Sequence, residues 1–311
     1  MIRVTVQGIN STTTTAHHYN IAGHSMVVQH KVDALEKYSK GEASEQFAEL
    51  LANHREIKTL SAVNAELRYH DLTLLAGEAH RLRYWRRGRR GQIDIDGSPS
   101  CYIDFKDKHI HVINGRDLNA QLSLEIVLGP AYVIMLAYFS TYCMHASAVS
   151  TEIGTIVFLA ESGVGKSTLA EHQDDGWNQI SDDILPLKAQ KGARVIEMHA
   201  DFPQLKLNHA CVAQGVPKMQ ELNYLIRLKP ESSNSIEFSK MSRKDCLLQV
   251  IRHTVAAKLF SQPMMQKHAS FARKVSLCVP MAELSYPRDW DSLADLRQRI
   301  IAFCQDELAK S

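Results

Sequence analysis

The chain has no closely spaced cysteine pair. Its six cysteines, Cys101, Cys143, Cys211, Cys246, Cys278 and Cys304, are scattered through 311 residues with no CxxC spacing. That argues against a zinc framework or a disulfide scaffold and for reduced, mostly buried thiols, so a cytoplasmic location is expected. The N-terminus MIRVTVQGINSTTTTAHH has a lone Arg3 and no continuous apolar core, which argues against a secretory signal. Charge of one sign is also missing: 36 Lys+Arg against 34 Asp+Glu leave a formal +2. So small an excess implies neither nucleic acid nor membrane, and electrostatic partners must be sought in local clusters. There are no internal repeats. The longest apolar run, IVLGPAYVIMLAYFSTYCM from Ile126 to Met144, is broken by Gly129-Pro130 and diluted by Ser140, Thr141 and three tyrosines. A helix starting near Pro130 would be about 14 residues long, the length of a buried core helix rather than a bilayer span.

What is present is enough to bury a large core: 45% hydrophobic and 23% charged residues, in a length that suits two domains. IRVTV near the N-terminus reads as a first strand. Residues 31–67 are rich in helix formers with apolar spacings of three and four, interrupted at Gly41 and Ser44. Residues 92–113, QIDIDGSPSCYIDFKDKHIHVI, alternate around DGSP and KDK as a hairpin does. A composition change at the apolar segment puts a boundary near 120–140, after which strands and helices alternate as in an α/β core. The expected organisation is an α/β protein, with a smaller α+β N-terminal domain over 1–125 and a P-loop domain over 126–311.

The sharpest chemical pattern is FLAESGVGKSTLA at residues 158–170. The P-loop pattern is glycine, four residues, then glycine, lysine and serine or threonine; here Ala160 stands at the first glycine. Alanine serves there if its φ is negative, since only positive φ strongly demands glycine. GTIVFLA reads as a buried strand and STLAEH as the start of a helix, the setting in which backbone N–H groups converge on phosphate. Ser162, Gly163, Val164, Gly165, Lys166, Ser167 and Thr168 are then the nucleotide-binding residues. Lys166 should reach the β- and γ-phosphates of ATP, and Ser167 should ligate Mg²⁺.

Sixteen residues beyond Ser167, Asp182-Asp183 falls where a second strand would end near the phosphates after a right-handed crossover. Adjacent aspartates on a strand point to opposite faces unless the strand has ended, so Asp182 and Asp183 can divide the work: one on Mg²⁺ or its water, the other as acceptor of a hydroxyl proton. The plainer alternative is that they cap a turn. His145 precedes the short strand ASAV. It is either a hydrogen-bonded packing residue or, if it faces the phosphates, a group that positions Asp183 or donates to transferred phosphate.

Residues 144–187, MHASAVSTEIGTIVFLAESGVGKSTLAEHQDDGWNQISDDILPL, resemble the catalytic domain of HPr serine kinases and their relatives, which combine such a histidine, a P-loop, a glycine-aromatic or glycine-histidine pair and an Asp-Asp dipeptide. The resemblance implies an HPr kinase-like fold for the C-terminal domain. It places His145 at the family's active-site histidine, Lys166 and Ser167 at its phosphate and Mg²⁺ positions, and Asp183 at its catalytic base. The RGLGI signature of the phosphorylase site is absent, and DFPQLKL stands at 201–207 roughly where it should lie. Together with LGPAYVIMLAYFSTYCMHASAV, YLIRLKP, VIRHTVAAKL and LSYPRDWDSLADL, this is similar to the HPr-kinase-like proteins of peptide-maturation systems, including kinases of lasso-peptide precursors. The resemblance thus implies a peptide or protein substrate with an acceptor serine rather than HPr, and forward transfer without efficient dephosphorylation.

Further cations are sought at Arg227 in LIRLKP and Arg252-His253 in VIRHTV, which either contact substrate phosphate or are surface charges. Glu197 or Asp201 would supply another metal carboxylate. RLRYWRRGRRG carries six arginines between residues 81 and 90. A solvated loop is the first reading, docking of an acidic peptide another, and nucleic acid a third, disfavoured one. Besides a serine kinase, an ATP-dependent binding or assembly module with slow hydrolysis and a small-molecule hydroxyl kinase stay open, and a homo-oligomer is compatible with all three.

Overall fold

The computed structural model describes residues 1–6, 16–42, 60, 64–113, 117–171, 176–204, 217–231, 235–287 and 293–308. The chain forms two compact units, Met1–Phe139 with Ala256–Met265, and Ser140–Val255 with Gln266–Ser311. The boundary expected at 125/126 therefore falls inside a helical segment that belongs to the first unit.

The first unit is built on a nine-stranded sheet. Its order is Ser39–Glu42, His17–Ile21, His24–Val28, Ile2–Val6, His109–Val112, Ser98–Asp104, Arg90–Ile95, Glu78–Arg87 and Glu66–Leu75. Ile2–Val6 is parallel to both of its neighbours, and the remaining ladders are antiparallel. The expected first strand and the hairpin region over 92–113 are both present. The helices expected over 31–67 are not found among the described residues, where a 3₁₀ turn spans Asp33–Tyr38 and strands cover Ser39–Glu42 and Glu66–Leu75; residues 43–59 and 61–63 lie outside them. Glu66-Leu67 has helical spacing but is captured by a long antiparallel ladder, which satisfies its backbone in the sheet.

The arginine-rich stretch is a strand as well, Glu78–Arg87, with only Gly88-Arg89 forming a turn before Arg90–Ile95. The apolar segment is helical from Gln121–Ile126, widens into a π turn at Val127–Ala131, and continues through Tyr132–Tyr138. It starts nine residues earlier than Pro130 because the chain bends rather than stops there: Pro130 has no N–H to give and crowds the preceding turn, and Gly129 absorbs the change with ψ of −106°. Gln121–Tyr138 is, among the described residues, the one stretch long and apolar enough to cross a membrane, and 72% of it is buried, as in a core helix.

The second unit contains a six-stranded sheet ordered Asn178–Ser181, Ser147–Thr151, Gly154–Leu159, Tyr224–Glu231, Met281–Pro287 and Glu237–Lys240. Gly154–Leu159 is antiparallel to Ser147–Thr151 and parallel to Tyr224–Glu231. Ile156, Phe158, Ile226 and Leu284 project from one face onto Leu169, Ala170, Trp177, Leu296, Ile300 and Cys304. Burying each large side chain there contributes about 1.5–3 kcal/mol. A separate four-stranded sheet runs Thr141–His145, Ile184–Ala189, Ile196–His199 and Met219–Glu221, and helices cover Arg243–Arg252, Gln262–Cys278 and Leu293–Leu308. The five described cysteines are free, four of them buried; Cys211 lies outside the described residues.

Two histidines of this unit are folded in as neutral rings. His268 faces the Thr254 hydroxyl at 2.8 Å, and that hydroxyl donates to the Val250 carbonyl, so the ring carries its proton on Nε2. Burial pushes His253 and His268 down to about 4. Each folded-state value lies below the unfolded one, so the stability they contribute is complete above about pH 6.5 and is lost as pH falls towards 4, by about 3 kcal/mol apiece in the limit. Thermal unfolding followed between pH 7 and 4 should show this decline, and His268→Gln, which can still donate to Thr254 but cannot charge, should flatten it. An unchanged pH profile in that variant would contradict the assignment.

Candidate functional site

Strand, turn and helix are arranged as the 158–170 pattern requires. Gly154–Leu159 ends at Ala160, the turn follows, and a helix spans Lys166–Glu171. The backbone alternates in sign, with Gly163 at φ +79°, Val164 negative and Gly165 at +99°. Successive N–H groups in such an alternation form a concavity for anions. Ala160 is not among the positive-φ residues, which removes the need for glycine at the first position of the pattern. Ser162, Gly163, Ser167 and Thr168 are exposed, whereas Lys166 is buried.

The loop is held at both ends. The Tyr286 hydroxyl donates to the Val164 carbonyl at 3.1 Å. At the far end of the helix, the Leu169 carbonyl accepts the Trp177 indole N–H at 3.1 Å and an Arg297 guanidinium N–H at 3.4 Å. That carbonyl is among the last four of the helix, which lack a partner within it. Arg297 also stacks over the Trp177 ring, with 5.6 Å to its centre.

Lys166 is the hub of the site. Its ammonium donates to the carbonyls of Ala160 (2.9 Å) and Glu161 (3.1 Å) and meets His145 Nε2 at 3.4 Å. His145 Nδ1 in turn lies 3.1 Å from Asp183 Oδ1. Burial lowers the lysine pKa, and the charges of Asp182, Asp183 and Glu161 oppose that shift. A charged ammonium can only donate, so Nε2 accepts and the ring proton sits on Nδ1, aimed at the carboxylate.

Asp182-Asp183 occupies the bend between Asn178–Ser181 and Ile184–Ala189 rather than a strand, which frees the two side chains from strict alternation. Asp182 Oδ1 accepts from the Ser147 hydroxyl at 2.7 Å, and its carboxylate also takes the Ser167 hydroxyl. Burial raises its pKa; the two hydroxyls oppose the shift by favouring the ionised form. The bend is fixed by Gln204, whose side-chain oxygen accepts the Asp183 N–H at 2.9 Å and whose amide donates to the Ile184 and Phe202 carbonyls at 3.0 Å each.

The remaining candidates divide. Arg252 ion-pairs with Glu161 of the loop at 2.5 Å. His253 offers no cation at neutral pH, being buried and depressed to about 4; its contribution is a carbonyl that accepts the His145 N–H at 2.8 Å. Arg227 lies in register with Leu159, but its guanidinium is engaged by Glu283 at 2.8 Å. Asp201 lies 4.0 Å from His199 in a buried pair, and Glu197 is on the strand Ile196–His199. Among the described residues, no group of three His, Cys, Asp or Glu side chains is placed to hold a metal. The set that fits a divalent cation is one hydroxyl and one carboxylate, Ser167 and Asp182, a pairing suited to a cation that takes its other ligands from phosphate and water. Ser147, Gln204 and the carbonyls of Ala160 and Glu161 were not singled out from sequence. Ser147 lies two residues beyond His145, but no sequence pattern announces Gln204, and 205–207 of its segment lie outside the described residues.

No family model and no curated protein matches the chain. Among solved structures, the HPr(Ser) kinase/phosphatase from Coxiella burnetii is similar over 54% of this chain and 97% of its own length, at 13% identity and a TM-score of 0.32. So slight an overlap carries no argument, and the functional reading rests on the geometry above.

The tautomer is measurable. In protein labelled with ¹⁵N-histidine, His145 should show a protonated Nδ1 and an unprotonated Nε2 at neutral pH. A ring protonated on Nε2 alone would break the chain of hydrogen bonds from Lys166 to Asp183.

Proposed function

We propose that this chain is an ATP-dependent, Mg²⁺-requiring kinase that transfers the γ-phosphate to a serine hydroxyl of a peptide or protein. The observation that carries this reading is the juxtaposition of a loop lysine, a carboxylate shared with the loop serine, and a second carboxylate oriented by a histidine. A nucleotide-binding module needs the first two; a positioned Asp183 is the extra element required for activating a hydroxyl.

In this reading the concave turn from Ser162 to Thr168 cradles the phosphates, and Lys166 leaves the Ala160 and Glu161 carbonyls to neutralise β- and γ-oxygens. Bound Mg²⁺ supplies Lewis-acid charge stabilisation to the phosphates, with Ser167 and Asp182 as its protein ligands. The substrate serine oxygen forms the new bond to the γ-phosphorus, the bond to the bridging oxygen breaks, ADP departs with that electron pair, and the serine proton passes to Asp183. His145 holds the Asp183 carboxylate in place through Nδ1–H and keeps its other nitrogen towards Lys166, linking base and phosphate site. Arg252, already beside the loop, is placed to add positive charge there once released from Glu161.

Purified protein incubated with labelled ATP, Mg²⁺ and the peptides encoded beside it, followed by mass spectrometry, tests the reading. Lys166→Ala should abolish transfer. Asp183→Asn should leave ATP affinity within a few-fold while transfer falls by about 10²–10⁴-fold, because the amide keeps the shape and loses only the proton acceptor. Normal transfer by Asp183→Asn would remove the hydroxyl kinase and leave an ATP-driven binding module.

A further inference from the structure

The strand Glu66–Leu75 ends the order of the nine-stranded sheet and, among the described residues, has a neighbour on one side only, Glu78–Arg87. It is ten residues long and mostly exposed. Leu72 and Leu74, 63% and 60% exposed, share a face because they are two residues apart, and Leu72 stands directly opposite Arg81. The backbone N–H of Leu72 is taken not by a neighbouring strand but by the Asp71 side chain, at 2.9 Å. A carboxylate of the chain itself thus occupies the place of a partner strand's acceptor.

Charge says what kind of strand fits. Between residues 66 and 90 there are seven arginines and three carboxylates. Arg68, Arg83 and Arg90 have acidic partners in Glu66, Asp94 and Asp104, and Arg86 lies over the Phe105 ring. Arg81, Arg87 and Arg89 are exposed and form no ion pair among the described residues, although the Asp96 carboxylate accepts the Arg81 backbone N–H and feels its charge. Arg81 flanks the two leucines; Arg87 and Arg89 sit at the turn beyond the level of Glu66, at the other end of the same edge. Two copies joined edge to edge would bring like-charged hairpins together. A nucleic acid would stack its bases on exposed rings, yet Tyr84 and Trp85 are buried and Tyr69 is half-buried with its hydroxyl turned to Asp71.

We propose that Glu66–Leu75 docks an extended, acidic segment of the peptide substrate by strand addition, with Leu72 and Leu74 taking its apolar side chains and Arg81, Arg87 and Arg89 its carboxylates. That the occupant is a substrate rests on the kinase reading above; that the edge binds such a peptide does not. Main-chain hydrogen bonds give affinity to a strand of any sequence, and the arginines select acidic ones.

The test is fluorescence anisotropy with the full chain and a labelled ten-residue peptide alternating glutamate with valine. It should bind, more weakly as salt rises, and the lysine–valine counterpart should not. A version N-methylated at alternate residues and the variant Arg81→Ala/Arg87→Ala/Arg89→Ala should each lose at least about tenfold in affinity. The variant should keep the unfolding midpoint and the ATP affinity of the parent, since all three arginines are exposed and belong to the first unit. Lys166→Ala should bind the peptide normally, so loss of phosphoryl transfer and loss of docking are read apart. Unchanged affinity of the N-methylated peptide, or of the triple variant, overturns the proposal. So does displacement of the peptide by oligothymidylate at comparable concentration, or blocking of the edge by self-association in sedimentation equilibrium.

Discussion

A lysine ammonium held largely out of water is the constraint around which the second unit is organised. Taking that charge from solvent is unfavourable by itself, and burial pushes the lysine pKa down. The charge is kept by what surrounds it: two loop carbonyls, the imidazole of His145 and the fields of Asp182, Asp183 and Glu161. Asp182 has the mirror problem, since burial raises its pKa and the Ser147 and Ser167 hydroxyls oppose that shift. Removing one member leaves the others buried and under-compensated, which generally costs more than the net value of an intact pair. The site is therefore a coupled set.

Holding such a set together takes rigid anchorage on every segment that supplies a member. The loop hangs between a strand packed in a hydrophobic core of its unit and a short helix whose Leu169 carbonyl is capped by Trp177 and Arg297. Gln204 ties the Asp182-Asp183 bend to a different stretch of chain. His145 is fixed through its backbone to the carbonyl of His253, where the helix Arg243–Arg252 ends. Several segments, some distant in sequence, converge in this way, and a polar cluster spread over so many elements keeps its geometry only if each is locked by its own packing.

The first unit solves a different problem, that of sheet edges. Its two outermost strands differ: Ser39–Glu42 is four residues long, whereas Glu66–Leu75 is ten and carries exposed leucines. Long exposed edges invite unwanted pairing, and proteins blunt them with charge. The arginines of the neighbouring strand and the Asp71 carboxylate over the Leu72 N–H do that here, and the same features make the edge selective.

Much of the P-loop region was legible in the sequence because its rules are local. The apolar run before the loop, glycines where φ must be positive, and lysine and serine at the helix start follow from covalent geometry and short-range hydrogen bonding, and Ala160 met its one condition. The adjacency of Asp182 and Asp183 was likewise visible, whereas spacing alone left His145 open between a packing residue and a phosphate-facing one, and only the family resemblance favoured the second. Other features depended on tertiary contacts. Residues 66–67 have helical spacing and form a strand because a partner was present to pair with them. The apolar helix passes through Gly129-Pro130 because packing on both sides holds a kinked turn that an isolated peptide would not keep. Arg227 and His253 look like equivalent cations beside Arg252 in the sequence; an ion pair to Glu283 and burial separate them. Residue type and spacing thus determined which groups could do the chemistry. Only the fold, through desolvation and partners far away along the chain, decided which of them carry charge and which meet.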